Sequence, residues 1–97
     1  MNVETLLRQY ALGDRDFSNA ELNCADLTGA KLSGINLIRA DLSGAILQYV
    51  NLSGAFLVLA NLERADLAGA MAIAVNFSGA RLQEANLNSH HLLALTF

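Results

Sequence analysis

From Asp14 to the end of the chain one constraint governs the sequence: an apolar residue, almost always a large one, returns at every fifth position without a slip in the period. The stretch 35–54 states it most plainly. It divides into INLIR, ADLSG, AILQY and VNLSG, with Leu37, Leu42, Leu47 and Leu52 central and Ile35, Ala40, Ala45 and Val50 two places earlier. Across the chain the central positions run from Phe17 to Phe97. Thirteen of these 17 are Leu, three are Phe, and Ala72 is the exception. Two places before the centre, 11 of 17 residues are Ala, and six of the seven glycines stand two places after a centre. The residue just before the centre is most often Asp or Asn.

Neither regular element explains a period of five. A strand alternates with period two, and a helix brings its apolar residues back every 3.6. A chain that turns a corner in every unit does fit. The centre and the small residue then point inward, and the other three positions lie outside or around the bend. Gly, or another residue tolerant of unusual backbone angles, belongs at the corner.

Composition supports such a repetitive core. Hydrophobic residues make up 54% of the 97, yet only 6% are aromatic and Trp is absent. A core of this kind is built from one repeated wedge. The absence of Pro agrees, because a uniform stack can spare few backbone N–H groups.

The pattern A(D/N)LXX, repeated from Arg15 to Phe97, resembles the pentapeptide repeat family. The resemblance implies an all-β solenoid: a right-handed quadrilateral β-helix with four units per coil. By that rule there are about four coils, 15–34, 35–54, 55–74 and 75–94, with 95–97 beginning a fifth. Residues twenty apart would then lie above one another. Phe17, Leu37, Leu57, Phe77 and Phe97 would form one interior column. No coil can bury its Leu faces alone, so stability must come from neighbours.

Residues 1–13 differ. Asn2 is a candidate helix cap, Glu4 suits the first turn, and Val3, Leu6, Leu7 and Tyr10 fall at helical spacing before a stop at Gly13. The expectation is a short N-terminal α-helical cap over 1–13, covering the open end of a β-helix over 14–97.

Function should show where the repeat is broken. Ile38, Phe56, Val58 and Leu59 are apolar at outward positions of one side and form the leading candidate for a partner surface. Ile46 and Tyr49 fall on the opposite side and are a second candidate. Met71 and Ile73 are also outward. Ala72 is a centre without a large side chain, so Met71, Ile73 or a neighbour is expected to shift inward and fill the space. At the C-terminal end Leu92, Leu95 and Phe97 invite end-to-end pairing with a second copy, a dimer that the family resemblance also implies.

A search for chemistry gives little. His90 and His91 are adjacent, so one is expected inward and one outward, poor geometry for one metal. Cys24, the single cysteine, sits at an outward corner with no evident base and excludes an internal disulfide. Asp16, Asp26, Asp41 and Asp66 recur because the repeat takes a short polar residue there, so they read as scaffold. No catalytic, cofactor-binding or metal site is expected. The formal net charge of −3 argues against direct binding to nucleic acid phosphates. No apolar run is long enough for a membrane span, no signal peptide is expected, and the cytoplasm is the expected compartment.

The sequence therefore points to a non-enzymatic scaffold that binds an unknown protein partner. Two alternatives stand beside it. One is a ligand of a type II topoisomerase such as gyrase that mimics DNA, as the resemblance allows. Glu21, Asp41 and Glu63 favour it, while Arg39, Arg64 and Arg81 interrupt the acidic side. The other is a structural module with no specific partner.

Overall fold

The computed structural model describes all of residues 1–97. A single helix, α1 (Val3–Ala11), precedes a solenoid of the β-helix type. Asn2 caps α1 with its side-chain oxygen, which accepts a hydrogen bond from the Thr5 amide at 2.7 Å. Gly13, at φ 103°, turns the chain out of the helix in a conformation that suits glycine. Leu6 is buried in the core, Val3 and Tyr10 pack against it, and Leu7 is 38% exposed. The amphipathic face is therefore narrower than the spacing predicts. The helix region also supplies donors to the first level of the solenoid. The Met1 ammonium donates to the Glu21 carbonyl at 3.0 Å, and the Tyr10 hydroxyl to the Ser33 carbonyl at 2.7 Å.

Backbone pairing in the solenoid is parallel with a register of twenty, from Asp16 with Asn36 up to Asn76 with Thr96. Four units fill each register, so a level has four sides. The first carries centres Phe17, Leu37, Leu57 and Phe77, and the second Leu22, Leu42, Leu62 and Leu82. The third carries Leu27, Leu47, Leu67 and Leu87, and the fourth Leu32, Leu52, Ala72 and Leu92. All 23 buried residues are apolar, and every one but Leu6 is a centre or the residue two places before it. The outer dimensions are 29 × 21 × 20 Å.

Corners set the period. After most centres the amide three residues on donates back to the carbonyl of the centre, as Ala20 does to Phe17 at 3.2 Å and Ala40 to Leu37 at 3.0 Å. Within the solenoid positive φ occurs only two residues after a centre, the third residue of the turn and the pattern of a type II turn. Glycine meets that demand six times. Nine other residues meet it at φ 56–62°: Asn19, Cys24, Arg39, Tyr49, Leu59, Arg64, Ala74, Glu84 and Ala94. Each non-glycine corner costs about 1–2 kcal/mol. Where a further level follows, as it does for all of these corners but Glu84 and Ala94, the corner amide donates to it: Arg39 to Val58 at 2.9 Å and Tyr49 to Ala68 at 3.1 Å. A hydrogen bond worth about 0.5–1.5 kcal/mol net offsets much of that strain.

Two short strands, β1 (Met71–Ile73) and β2 (His91–Leu93), pair in parallel with Ala72 opposite Leu92. The turn bond that closes other corners is missing after Ala72, Leu87 and Leu92, and the chain stays extended longer at the first and last of these. This overturns the expected repacking at Ala72 by its flanks. Strand alternation fixes Ala72 inward and sends Met71 and Ile73 outward, 38% and 39% exposed. His90 also departs from expectation. It holds a small-residue position, yet both His90 and His91 are exposed. An imidazole is too bulky for a slot filled elsewhere by Ala or Val. Ser89, the corner before it, is the one corner without positive φ.

The Asp and Asn residues before the centres have one job throughout. Each side-chain Oδ1 accepts the amide hydrogen two residues on, as Asp16 does from Ser18 (3.1 Å), Asn36 from Ile38 (3.0 Å) and Asp66 from Ala68 (3.0 Å). Such Asx turns satisfy an amide that the corner would otherwise strand. Hydroxyls of Ser18, Thr28 and Ser43 add a second bond to Asp16, Asp26 and Asp41. These side-chain bonds, followed by the backbone ones, hold all three carboxyls below the usual range. Asp66 is lowered first by the Gln48 side chain and then by the Ala68 amide.

Two outcomes follow from this construction. The four carboxyls titrate lower in the folded chain than in the unfolded one. Their contribution is complete above the unfolded value of about 3.9 and is lost as pH falls through the lower folded values. The urea midpoint should hold level from neutral pH to about pH 5 and fall below about pH 4. Changing all four to Asn, which keeps the Asx turn, should flatten the decline. Second, a Cβ placed on Gly69 would stand 2.5 Å from the Tyr49 ring, while one on Gly34 meets nothing within 4 Å. Gly34→Ala should cost about 1–2 kcal/mol from the left-handed backbone alone. Gly69→Ala should cost about 1 kcal/mol more, an excess that disappears in a Tyr49→Gly background when urea unfolding is compared.

Candidate functional site: the apolar side surfaces

The interior takes the centres of all but the top level, so the outward positions are the ones left for contacts. Register places Ile38 directly below Val58 on the first side, both half-buried by their neighbours. Phe56 pairs with Asn36 below and Asn76 above, and its ring stands 48% exposed. Leu59 occupies a left-handed corner, also 48% exposed, and folds over Gly79, where a Cβ would stand 2.7 Å from its Cδ2. Ile38, Phe56, Val58 and Leu59 thus share one side, with the exposed Arg39 at the corner below Leu59.

The third side, across the solenoid, holds Ile46 and Tyr49, 38% and 70% exposed. Ile46 pairs with Asp26 below and Asp66 above. Tyr49 is seated on Gly69 as Leu59 is on Gly79. At the top level Leu92 and Leu95 are half-buried, and Phe97 is 67% exposed with its ring stacked on Phe77 at 5.5 Å.

A third apolar group lies on the fourth side, where Met71, Ile73 and Leu93 are all exposed and Ile73 pairs with Leu93. Read singly, these residues were outward exceptions to the repeat. The twenty-residue register is the signal that joins them.

Charge is distributed unevenly around the rod. On the second side Glu63 forms an ion pair with Arg81 and lies 3.9 Å from Arg64. No group of three or more His, Cys, Asp or Glu side chains comes together as a metal site. Cys24 is free and exposed, its Sγ lying over Gly44. No ligand pocket forms, and no helix is long and apolar enough to cross a membrane.

Known proteins resemble this one at both levels. The family model for pentapeptide repeats matches eight copies over residues 20–57 and 60–92. Among solved structures, a pentapeptide repeat protein from Nostoc PCC 7120 is 34% identical, with 98% of this chain and 94% of that one covered and a TM-score of 0.51. HetL, a pentapeptide repeat protein involved in heterocyst differentiation regulation in Nostoc sp. strain PCC 7120, is 36% identical over 90% of this chain and 49% of its own, with a TM-score of 0.55. A pentapeptide repeat protein of the Arabidopsis thaliana thylakoid lumen is 38% identical over 68% of this chain and 49% of that one, with a TM-score of 0.51. This chain therefore spans nearly the whole of one relative and about half of the other two. No curated protein is similar enough to add to these. With the family model covering most of the chain and the register of twenty observed directly, the chain belongs to the pentapeptide repeat family.

Proposed function

We propose that the protein is a non-enzymatic scaffold that binds another protein through the first side of its solenoid. In this reading residues 1–13 cap a right-handed quadrilateral β-helix of four coils over 14–97, and the protein works in the cytoplasm without a cofactor. The observation that carries the reading is the exposed pair Phe56 and Leu59, set beside the half-buried Ile38 and Val58. Clustered apolar side chains on an otherwise regular surface mark contact sites, and aromatic anchors dominate such contacts. The rod is rigid, so little conformational entropy is lost when a partner docks. The related HetL serves in regulation of heterocyst differentiation, a role that suits a binding module.

The ion pairs of Glu63 on the second side favour this reading over DNA mimicry, because they blunt the acidic side that a mimic needs. A second contact belongs at the top level, where Leu92, Leu95 and Phe97 would pair with a copy of the chain.

Replacing Phe56 and Val58 by Ser should weaken capture of the partner by more than about tenfold, the scale of losing an aromatic anchor. The circular dichroism spectrum should stay unchanged, because Phe56 is half exposed and Val58 lies outside the core. Undiminished capture by the variant overturns the first-side assignment. For the top level, making Leu95 and Phe97 polar should lower the mass seen by light scattering from dimer to monomer. An unchanged mass rejects that contact. Gyrase supercoiling should be unaffected by the protein at micromolar concentration, and inhibition would favour the mimic instead.

A further inference from the structure

The third side has a charge pattern that the contact reading above does not use. Its residues, 25–29, 45–49, 65–69 and 85–89, include no Lys, Arg or His, and its formal charges are Asp26 and Asp66 alone. Neither carboxylate takes part in an ion pair. Arg64, at the corner before this side, turns toward Glu63. Lys31 follows the next corner and makes no ion pair with either carboxylate. Between the two carboxylates sits an apolar centre. Ile46 pairs with Asp26 below and Asp66 above, and Tyr49, 70% exposed, leaves the corner of the same level with its ring over Gly69 of the level above.

The spacing selects a shape. Asp26 and Asp66 are two levels apart, roughly 10 Å at the usual distance between paired strands. An α-helix brings the same face round after seven residues, about 10.5 Å along its axis. Residues three and four along fall halfway, level with Ile46. An extended peptide repeats its face at about 6.7 Å and does not match both carboxylates.

We propose that the third side docks a basic amphipathic helix of a partner protein, lying along the solenoid axis. Its Arg or Lys side chains at positions i and i+7 meet Asp26 and Asp66, and an apolar residue at i+3 or i+4 packs on Ile46. Tyr49 offers a ring face to one of the cations. The ring lies against Gly69, where a side chain would displace it. Asp66 keeps lone pairs for a cation although it accepts bonds from the Gln48 side chain and the Ala68 amide. This site is separate from the first-side surface, so the two can fail independently.

The test uses the full chain and a blocked, fluorescently labelled helical peptide with Arg at i and i+7 and Leu at i+3 and i+4. Anisotropy should show saturable binding that weakens as salt rises. The variant Asp26→Asn/Asp66→Asn should bind about tenfold more weakly with a flatter salt dependence. It should fold as the parent does, because Asn makes the same Asx turn at Asn36, Asn51, Asn61, Asn76 and Asn86. Tyr49→Gly, which suits the left-handed corner, should also weaken binding, while Phe56→Ser/Val58→Ser should leave it unchanged. Absence of saturable binding, equal binding of a peptide with Glu in place of Arg, or equal affinity of the Asn variant overturns the proposal. So does a dimer mass in light scattering that falls in the Asn variant, since the occupant would then be a second copy.

Discussion

Everything in this molecule depends on amide-to-carbonyl pairing between residues about twenty apart. A five-residue unit makes only one such bridge before it turns, so no unit and no single level is stable alone. The corner is what makes pairing possible. At a left-handed residue the amide points along the axis toward the next level, as Cys24 does to Ser43 and Leu59 to Ser78, both at 2.8 Å. A conformation that is costly for a side chain is held in place by a bond that only this conformation can make. The strain and the hydrogen bond are of similar size, so corners need not all be glycine.

That balance frees the corner for other uses. A side chain there can lie over the next level where the residue twenty later lacks a Cβ. Tyr49 lies over Gly69, Leu59 over Gly79 and Cys24 over Gly44. Glycine on this scaffold therefore serves two ends: it eases a turn, and it makes a seat for the corner below. The two large apolar side chains at exposed corners, Tyr49 and Leu59, both use such seats.

Much of this was legible in the sequence, and the reason is physical. A period of five fixes which side chains face inward, so Leu37, Leu57 and their column could be placed before any coordinates. Asn2, Glu4 and Gly13 carried the helix ends in the same way, because capping is local chemistry. What escaped depends on neighbours twenty residues away or on the absence of a neighbour. Tyr49 and Gly69 read as unrelated until the register joins them. Met71 and Ile73 looked free to fill the space beside Ala72, but pairing with His91–Leu93 holds them outward. The repeat places one of His90 and His91 inward, yet both are exposed, because the chain around Ser89 has already left the repeat.

The distribution of charge and apolar surface around the rod is the least periodic property of the sequence, and the one most open to selection. Inward positions are constrained by packing at every level: Leu22, Leu42 and Leu62 are alike because the slot is alike. The position before the centre is constrained only by the need to cap an amide, and Ile46, Phe56 and Met71 show that this need can be set aside. Where an Asx cap is given up, the gain must come from the new side chain. At Ile46 the cap is abandoned between two that are kept, Asp26 and Asp66, so one side acquires an apolar centre between two carboxylates. At Phe56 it is abandoned between Asn36 and Asn76, which are neutral, and the nearby charge is Arg39. Two opposite sides of one scaffold thus break the same rule at adjacent levels with different electrostatics around the break. The two proposed contact surfaces thus face away from each other, an arrangement suited to holding two different partners at once.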